Sequence, residues 1–178
     1  MARSDYDYRK FAGLERELSR VNSPANVITN VYTLIFGDAH PPKPEQLIAP
    51  NTWDASTLAR IVRLIGSIVS HYVSLFQDPR DLPVTHYWKQ KKVAIFLDQQ
   101  FGLFLNEALA RSGGEVAQDD FLDKPILFLK QEARRGGFPR VKKRASLKAI
   151  EERFCQKLED KGVRLENIEL HDFHSLSE

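Results

Sequence analysis

A chain of 178 residues with 42% hydrophobic side chains is the size of one ordinary domain and can bury a core without staples. Its charged fraction of 28% sits near the globular average, which excludes wholesale disorder, and a net charge of +2 implies no partner by itself. The single cysteine, Cys155, excludes an internal disulfide and a Cys-rich zinc site, and its neighbours Phe154 and Leu158 mark an ordinary helix position.

The stretch Met1 to Lys10 is polar and lacks the apolar core of a secretory signal. No run approaches the ~18 continuous apolar residues of a membrane span. The longest candidate, Val93 to Leu105, carries Asp98, Gln99 and Gln100. A reducing, cytoplasmic compartment and no membrane partner are the expectation. The first helix is predicted from about Asp5 to Arg20, with Phe11, Leu14, Leu18 and Val21 at helical spacing. Ser23 and Pro24 restart the chain as N-cap and first helical residue. Val27, Ile28, Val31, Tyr32 and Ile35 then form a buried stripe that Gly37 ends. Pro41, Pro42, Pro44 and Pro50 forbid a helix through the following segment, which reads as a long surface connection.

Trp53 to Gln77 has the clearest periodicity. Leu58, Ile61, Val62, Ile65, Ile68, Val69, Tyr72, Val73 and Phe76 follow helical spacing, with Arg60, Arg63, Ser67, Ser70 and Ser74 on the other side. Asn51 or Asp54 can cap its start. A further helix is predicted from Val84 to Arg111, ending at Gly113-Gly114. Its second half, Val93 to Ala110, is apolar nearly all round and reads as the buried centre of a bundle. Asp98 inside it then needs a partner, and Arg60 or Arg63 would serve. Asp119, Asp120 and Asp123 read as capping acids before a helix that opens at Pro125 and runs to Arg135. Ser146 caps the last helix, with Leu147, Ile150, Phe154 and Leu158 inward and Gly162 after it.

These elements predict an all-α chain: a single helical bundle of about five to six helices with a Pro-rich loop and an extended C-terminal tail. One domain spans 1–178. It holds an N-terminal helix pair over 5–36, the Pro-rich loop over 37–52, long central helices over 53–113, basic C-terminal helices over 118–162 and a tail over 163–178.

The strongest chemical signal is a separation of charge. Lys130, Arg134, Arg135, Arg140, Lys142, Lys143, Arg144 and Lys148 stand against Glu132 alone, whereas residues 151–178 hold eight acids and four bases. Clustered Lys and Arg displace counterions from a phosphate backbone and bind it without sequence preference. Phe138, between Gly137 and Pro139, would offer a ring for an exposed base. His86, Tyr87, Trp88, Lys89, Lys91 and Lys92 form a second group, in which helical spacing sets Trp88 beside Lys92 and Tyr87 beside Lys91. A solvated basic face, or a docking site for an acidic partner, would look the same in sequence.

Catalytic signatures are missing: there is no Walker spacing, Gly-x-Ser-x-Gly elbow or His-Glu-x-x-His helix. His171 and His174 lack an evident third zinc ligand beyond Asp172 or His40. Catalysis would need a polar pocket converging on Asp98, His71 or His86.

The expectation is a non-catalytic subunit, without cofactor or metal, that binds RNA or single-stranded DNA through its backbone inside a larger ribonucleoprotein or nucleoprotein assembly. Its partners would be nucleic acid and other protein subunits. Its binding residues would be the eight basic side chains of 130–148 with Phe138, helped by Lys89, Lys91 and Lys92. In size and character the chain is similar to the helical small subunits of multi-subunit CRISPR effector complexes, which pack along a guide or displaced strand. That likeness is one of architecture, carried by no family motif, and it implies a part in antiviral defence. The alternative is a helical protein–protein adaptor that docks through the 37–51 loop and the tail.

Overall fold

The computed structural model describes residues 49–77, 83–115, 118–138 and 145–164, leaving aside the side chains of His86 and Lys89. The expected helices of 5–36, most of the Pro-rich loop and nearly all of the tail lie outside the described residues. A 3-10 turn at Pro50–Thr52 leads into five helices: α1 (Ala55–Leu75), α2 (Val84–Arg111), α3 (Asp120–Asp123), α4 (Pro125–Arg134) and α5 (Leu147–Asp160). Among the described residues there is no strand, and the helices form an all-α bundle.

Helix α1 starts where Asp54 accepts the Thr57 N–H at 2.6 Å, the ordinary job of an acidic N-cap. Its apolar stripe is buried as the periodicity predicts. So, however, are Arg60 and Ser70 from the side expected to be open, and only Arg63 of the remaining polar set is exposed. Ser70 donates its hydroxyl to the Gly66 carbonyl of its own helix at 2.7 Å, which satisfies the group locally and lets it be buried. Helix α1, packed against α2, α4 and α5, is therefore the central helix. By length and composition it is apolar enough to cross a membrane, a property that a search for unbroken apolar runs does not register, but most of it is buried within the bundle.

Helix α2 has the predicted limits but a different place. Leu97, Phe101, Phe104, Leu105 and Ala108 are buried, while Ile95 and Leu103 are 53% and 52% exposed. The expected buried centre is thus a one-sided helix. Gly66 on α1 lets Phe154 of α5 lie so close that a Cβ there would stand 2.9 Å from the ring, and Gly102 on α2 admits the Asp123 backbone almost as closely, at 3.0 Å. Helix α2 nevertheless keeps one side, with Lys92, Gln99, Leu103 and Ala110, open to solvent.

Helix α3 is one extra turn where the sequence predicts only a cap. Asp119 accepts the Leu122 N–H at 3.0 Å and pairs with Lys161 beyond α5. Partial burial pushes the Asp119 carboxyl up, but Lys161 and that N–H outweigh it and hold the group below its ordinary range. Helix α4 opens with Pro125 and has no side-chain cap of its own. It closes with Gly136 at φ +78°, where the Gly137 N–H bonds back to the Glu132 carbonyl at 2.9 Å. That left-handed turn sends Phe138 back into the core.

Helix α5 begins as predicted, Ser146 accepting the Ala149 N–H at 3.1 Å, and buries Ile150, Phe154 and Leu158. Arg153 grips Glu132 of α4 through two hydrogen bonds of 2.7 and 3.3 Å, with Lys157 at 3.5 Å from the same carboxylate. Gln77, just past α1, uses both ends of its amide on Ala145: its Nε2 donates to the carbonyl at 2.9 Å and its Oε1 accepts the N–H at 2.5 Å. Phe138 and Ala145 are thus fixed to the bundle on either side of residues 139–144.

Candidate nucleic-acid interface and the Asp98 cleft

The aromatic–basic group near the start of α2 divides in two. Tyr87 turns inward, edge-on to Phe76 with ring centroids 5.6 Å apart. Trp88 remains 53% exposed. The Lys91 ammonium lies 5.0 Å from the Trp88 ring centroid and 6.0 Å from that of Tyr87, close enough for attraction to the ring faces. Helical spacing thus brings Lys91 to Tyr87, as predicted, and also to Trp88 one turn earlier. Lys92 is exposed; the side chain of Lys89 lies outside the described residues.

The basic segment divides as well. Arg134, Arg135 and Lys148 are exposed. Arg140, Lys142, Lys143 and Arg144 lie outside the described residues. Two members depart from expectation. Phe138 is buried, so it is no free stacking ring; the Gly136 turn tucks it into the core. Lys130 is also largely buried, its ammonium 4.9 Å from the Phe76 ring centroid. It shares a helix face with Ile126, Leu129 and Ala133, and its stem packs where theirs do while the ammonium reaches a cleft.

That cleft, of about 270 Å³, lies between α2, α4 and the end of α1. Phe76, Ala94, Ile95, Ile126 and Leu127 supply apolar walls, and Lys91, Lys124 and Lys130 supply cations. Among the described residues, Asp98 is the one acid in the lining. The partner it needs is neither Arg60 nor Arg63. Its two carboxylate oxygens accept the N–H groups of Ile126 at 2.8 Å and Leu127 at 2.9 Å. These are the second and third residues of α4, whose N–H groups have no intrahelical acceptor. A carboxylate from α2 therefore caps α4 across the interface. Burial nevertheless pushes the Asp98 carboxyl up to about 7, against the two hydrogen bonds and the charges of Lys124 and Lys130.

The cations converge. Lys130 is held below the ordinary lysine range first by burial, then by the charges of Arg134 and Lys91, with Asp98 acting in the opposite sense. Lys91 on α2 and Lys130 and Arg134 on α4 thus share one electrostatic neighbourhood beside Trp88. Arg60 and Arg63 do not join it. Arg60 is buried on α1, and the charge of Arg63 acts on Cys155 of α5. His71 is buried edge-on to Tyr72 and does not line the cleft. Among the described residues no group of three or more His, Cys, Asp or Glu is placed to hold a metal. No protein-family model, curated protein or solved structure matches the chain.

Proposed function

We propose that the chain is a non-catalytic nucleic-acid-binding module, working within a larger assembly, whose described contact surface is Trp88, Lys91, Lys124, Lys130 and Arg134. The observation that supports this reading is the convergence of Lys91 with Lys130 and Arg134. Like charges held together on two helices oppose folding, and a polyphosphate backbone laid across them would reverse that cost. An exposed indole at the same place adds a platform on which a base can stack. Arg135, exposed just past α4, would extend the surface.

The test is binding of single- and double-stranded RNA and DNA at two salt concentrations. Replacing Lys91 and Arg134 together by alanine lowers the logarithmic salt slope by about 0.7–0.9 for each phosphate that is no longer neutralised. Trp88→Ala weakens single-strand binding by about 1–3 kcal/mol and leaves duplex binding nearly unchanged. Unaltered affinity and slope in the double variant would exclude this surface.

The alternative, a protein–protein adaptor, draws on another observation. Val84, Trp88, Ile95 and Leu103 are large apolar side chains exposed along α2, with Leu127 exposed on α4. A stoichiometric complex that survives nuclease, with no binding to any oligonucleotide, would favour it.

A further inference from the structure

We infer that the cleft between α2 and α4 is a binding pocket for a small amphiphilic anion, with its acidic headgroup on Lys130, Lys91 and Lys124 and its short apolar body between Ile95 and Leu127. Such a pocket goes beyond the nucleic-acid reading and does not depend on it, because a phosphate backbone crossing the surface makes no use of an apolar interior.

Lys130 is the group that calls for a ligand. It is 7% exposed, on the face of α4 that packs inward with Ile126, Leu129 and Ala133. Among the described residues no carboxylate pairs with its ammonium, whose contact is the Phe76 ring at 4.9 Å. Attraction to a ring face returns only part of what an ammonium loses on leaving water. Asp98 does not supply the rest. It is 4% exposed, and both of its oxygens are held by the Ile126 and Leu127 N–H groups, so it caps α4 and leaves the cleft to the cations. At the Lys130 ammonium the charges of Arg134 and Lys91 weigh more than the charge of Asp98. The deficit is therefore one of negative charge, and it lies within the cleft.

The walls set the other half of the ligand. Phe76, Ala94, Ile126 and the exposed side chains of Ile95 and Leu127 line a space of about 270 Å³. At ~30 Å³ for each water-sized group, that space holds about nine non-hydrogen atoms, close to the size of an eight-carbon carboxylate. A bare anion would satisfy Lys130 and leave the apolar walls wet. A neutral hydrocarbon would cover the walls and leave the ammonium dry and unpaired. A cation would meet three lysines. An anion on a short apolar body meets both demands, and Lys91 and Lys124, which line the same space, add to the attraction of its headgroup.

The experiment uses the full chain and calorimetric titration with octanoate, hexanoate, acetate, inorganic phosphate, 1-octanol and octylammonium. Octanoate should bind with a stoichiometry of about one per chain. Hexanoate, two methylenes shorter, should bind about tenfold more weakly, and acetate and phosphate should give no heat at the same concentrations. Octanol and octylammonium, which keep the chain and lose or reverse the charge, should bind about tenfold or more weakly than octanoate. Lys130→Met keeps the buried stem without the charge and should bring octanoate down to the level of octanol. Ile95→Trp, a change at an exposed position, should fill the opening and weaken octanoate by a similar factor, and it tests the pocket even if the Lys130 variant fails to fold. Octanol or octylammonium matching octanoate, acetate or phosphate matching octanoate, octanoate binding that both variants leave unchanged, or no octanoate binding would each overturn the pocket. Single-stranded oligouridylate titrated in the same series keeps the two readings apart. Octanoate binding without oligonucleotide binding would uphold the pocket and overturn the nucleic-acid surface, and oligonucleotide binding alone would overturn the pocket and leave that surface standing.

Discussion

Replacing Asp98 by asparagine separates two opposing effects on one buried carboxyl. The folded chain raises this group from 3.8 to about 7, so it holds a proton that the unfolded chain has already released. A carboxyl raised in this way subtracts stability as pH climbs between those values, and the loss is complete above the folded one. With those two values, the loss accumulated between about pH 5 and about pH 8 is on the order of 2–3 kcal/mol. Asparagine keeps one oxygen for the Ile126 or Leu127 N–H and turns an amide toward the other, at a cost of about 1–3 kcal/mol that does not vary with pH. Denaturant unfolding of both proteins across this range, followed by the fluorescence of buried Trp53, isolates the Asp98 contribution as the difference between the curves. Asp119 and Glu132 titrate lower, are common to both proteins and cancel. The wild type should lose on the order of 2–3 kcal/mol relative to the variant between about pH 5 and about pH 8. A difference that stays flat, or that grows in favour of the wild type, would mean that the helix terminus and lysines outweigh burial.

Gly66→Ala should destabilise by about 1–3 kcal/mol despite alanine's better helix propensity, because its Cβ meets the Phe154 ring at 2.9 Å; pairing it with Phe154→Leu should recover part of the loss in a double-mutant cycle. Gln77→Ala should lower the unfolding temperature by about 5 °C or more, since it removes both hydrogen bonds to Ala145. Against the upward push of burial, Arg153 and Lys157 hold the Glu132 carboxyl below its ordinary range, so its contribution is lost as pH falls through that lowered value. Glu132→Gln should therefore cost about 1 kcal/mol at neutral pH, and the cost should disappear as acid titrates the wild type in parallel unfolding curves. Arg134→Ala should raise the Lys130 pKa by removing the like charge that acts on it more strongly than Lys91 does, a change visible in an NMR titration of the lysine side chain.

What was legible in the sequence follows from how local each signal is. The limits of α2 are readable because Pro83 and Gly113 act within one turn of their own positions, and Ser146 announces α5 in the same way. Which helix sits at the centre is not local. Two neighbouring helices are both long and apolar, each with a glycine that admits a close neighbour, Gly66 and Gly102, so which one is covered on all sides depends on contacts between distant segments. The burial of Lys130 was readable, since it shares a helical face with Ile126, Leu129 and Ala133, but its charge drew it into the basic cluster. The Asp98 partner was half-legible. The sequence offers Asp123 as a cap, but in the structure Lys124 takes the N-cap position of α4 without a side-chain bond and Asp123 instead accepts from Asn106, so two N–H groups are left wanting an acceptor from elsewhere in the fold. A buried carboxylate and a helix without a cap are complementary deficits, but only the packing of α2 on α4 shows that they meet.

That pairing also ties the binding surface to the core. Lys91 stands on α2, and Lys130 and Arg134 stand on α4, so their mutual spacing is set by how the two helices meet. Near the cleft the polar link between those helices is the Asp98 carboxylate on the first turn of α4. Removing both acceptors, as in Asp98→Ala, leaves the buried Ile126 N–H and the partly buried Leu127 N–H unsatisfied and should loosen the start of α4 by about 2–4 kcal/mol, taking Lys130 with it. Phosphate binding should then weaken even at positions remote from the cleft, whereas Asp98→Asn, which retains one acceptor, should spare it. A common loss of affinity in both variants would show that the charge of Asp98, and not its grip on α4, arranges the cations.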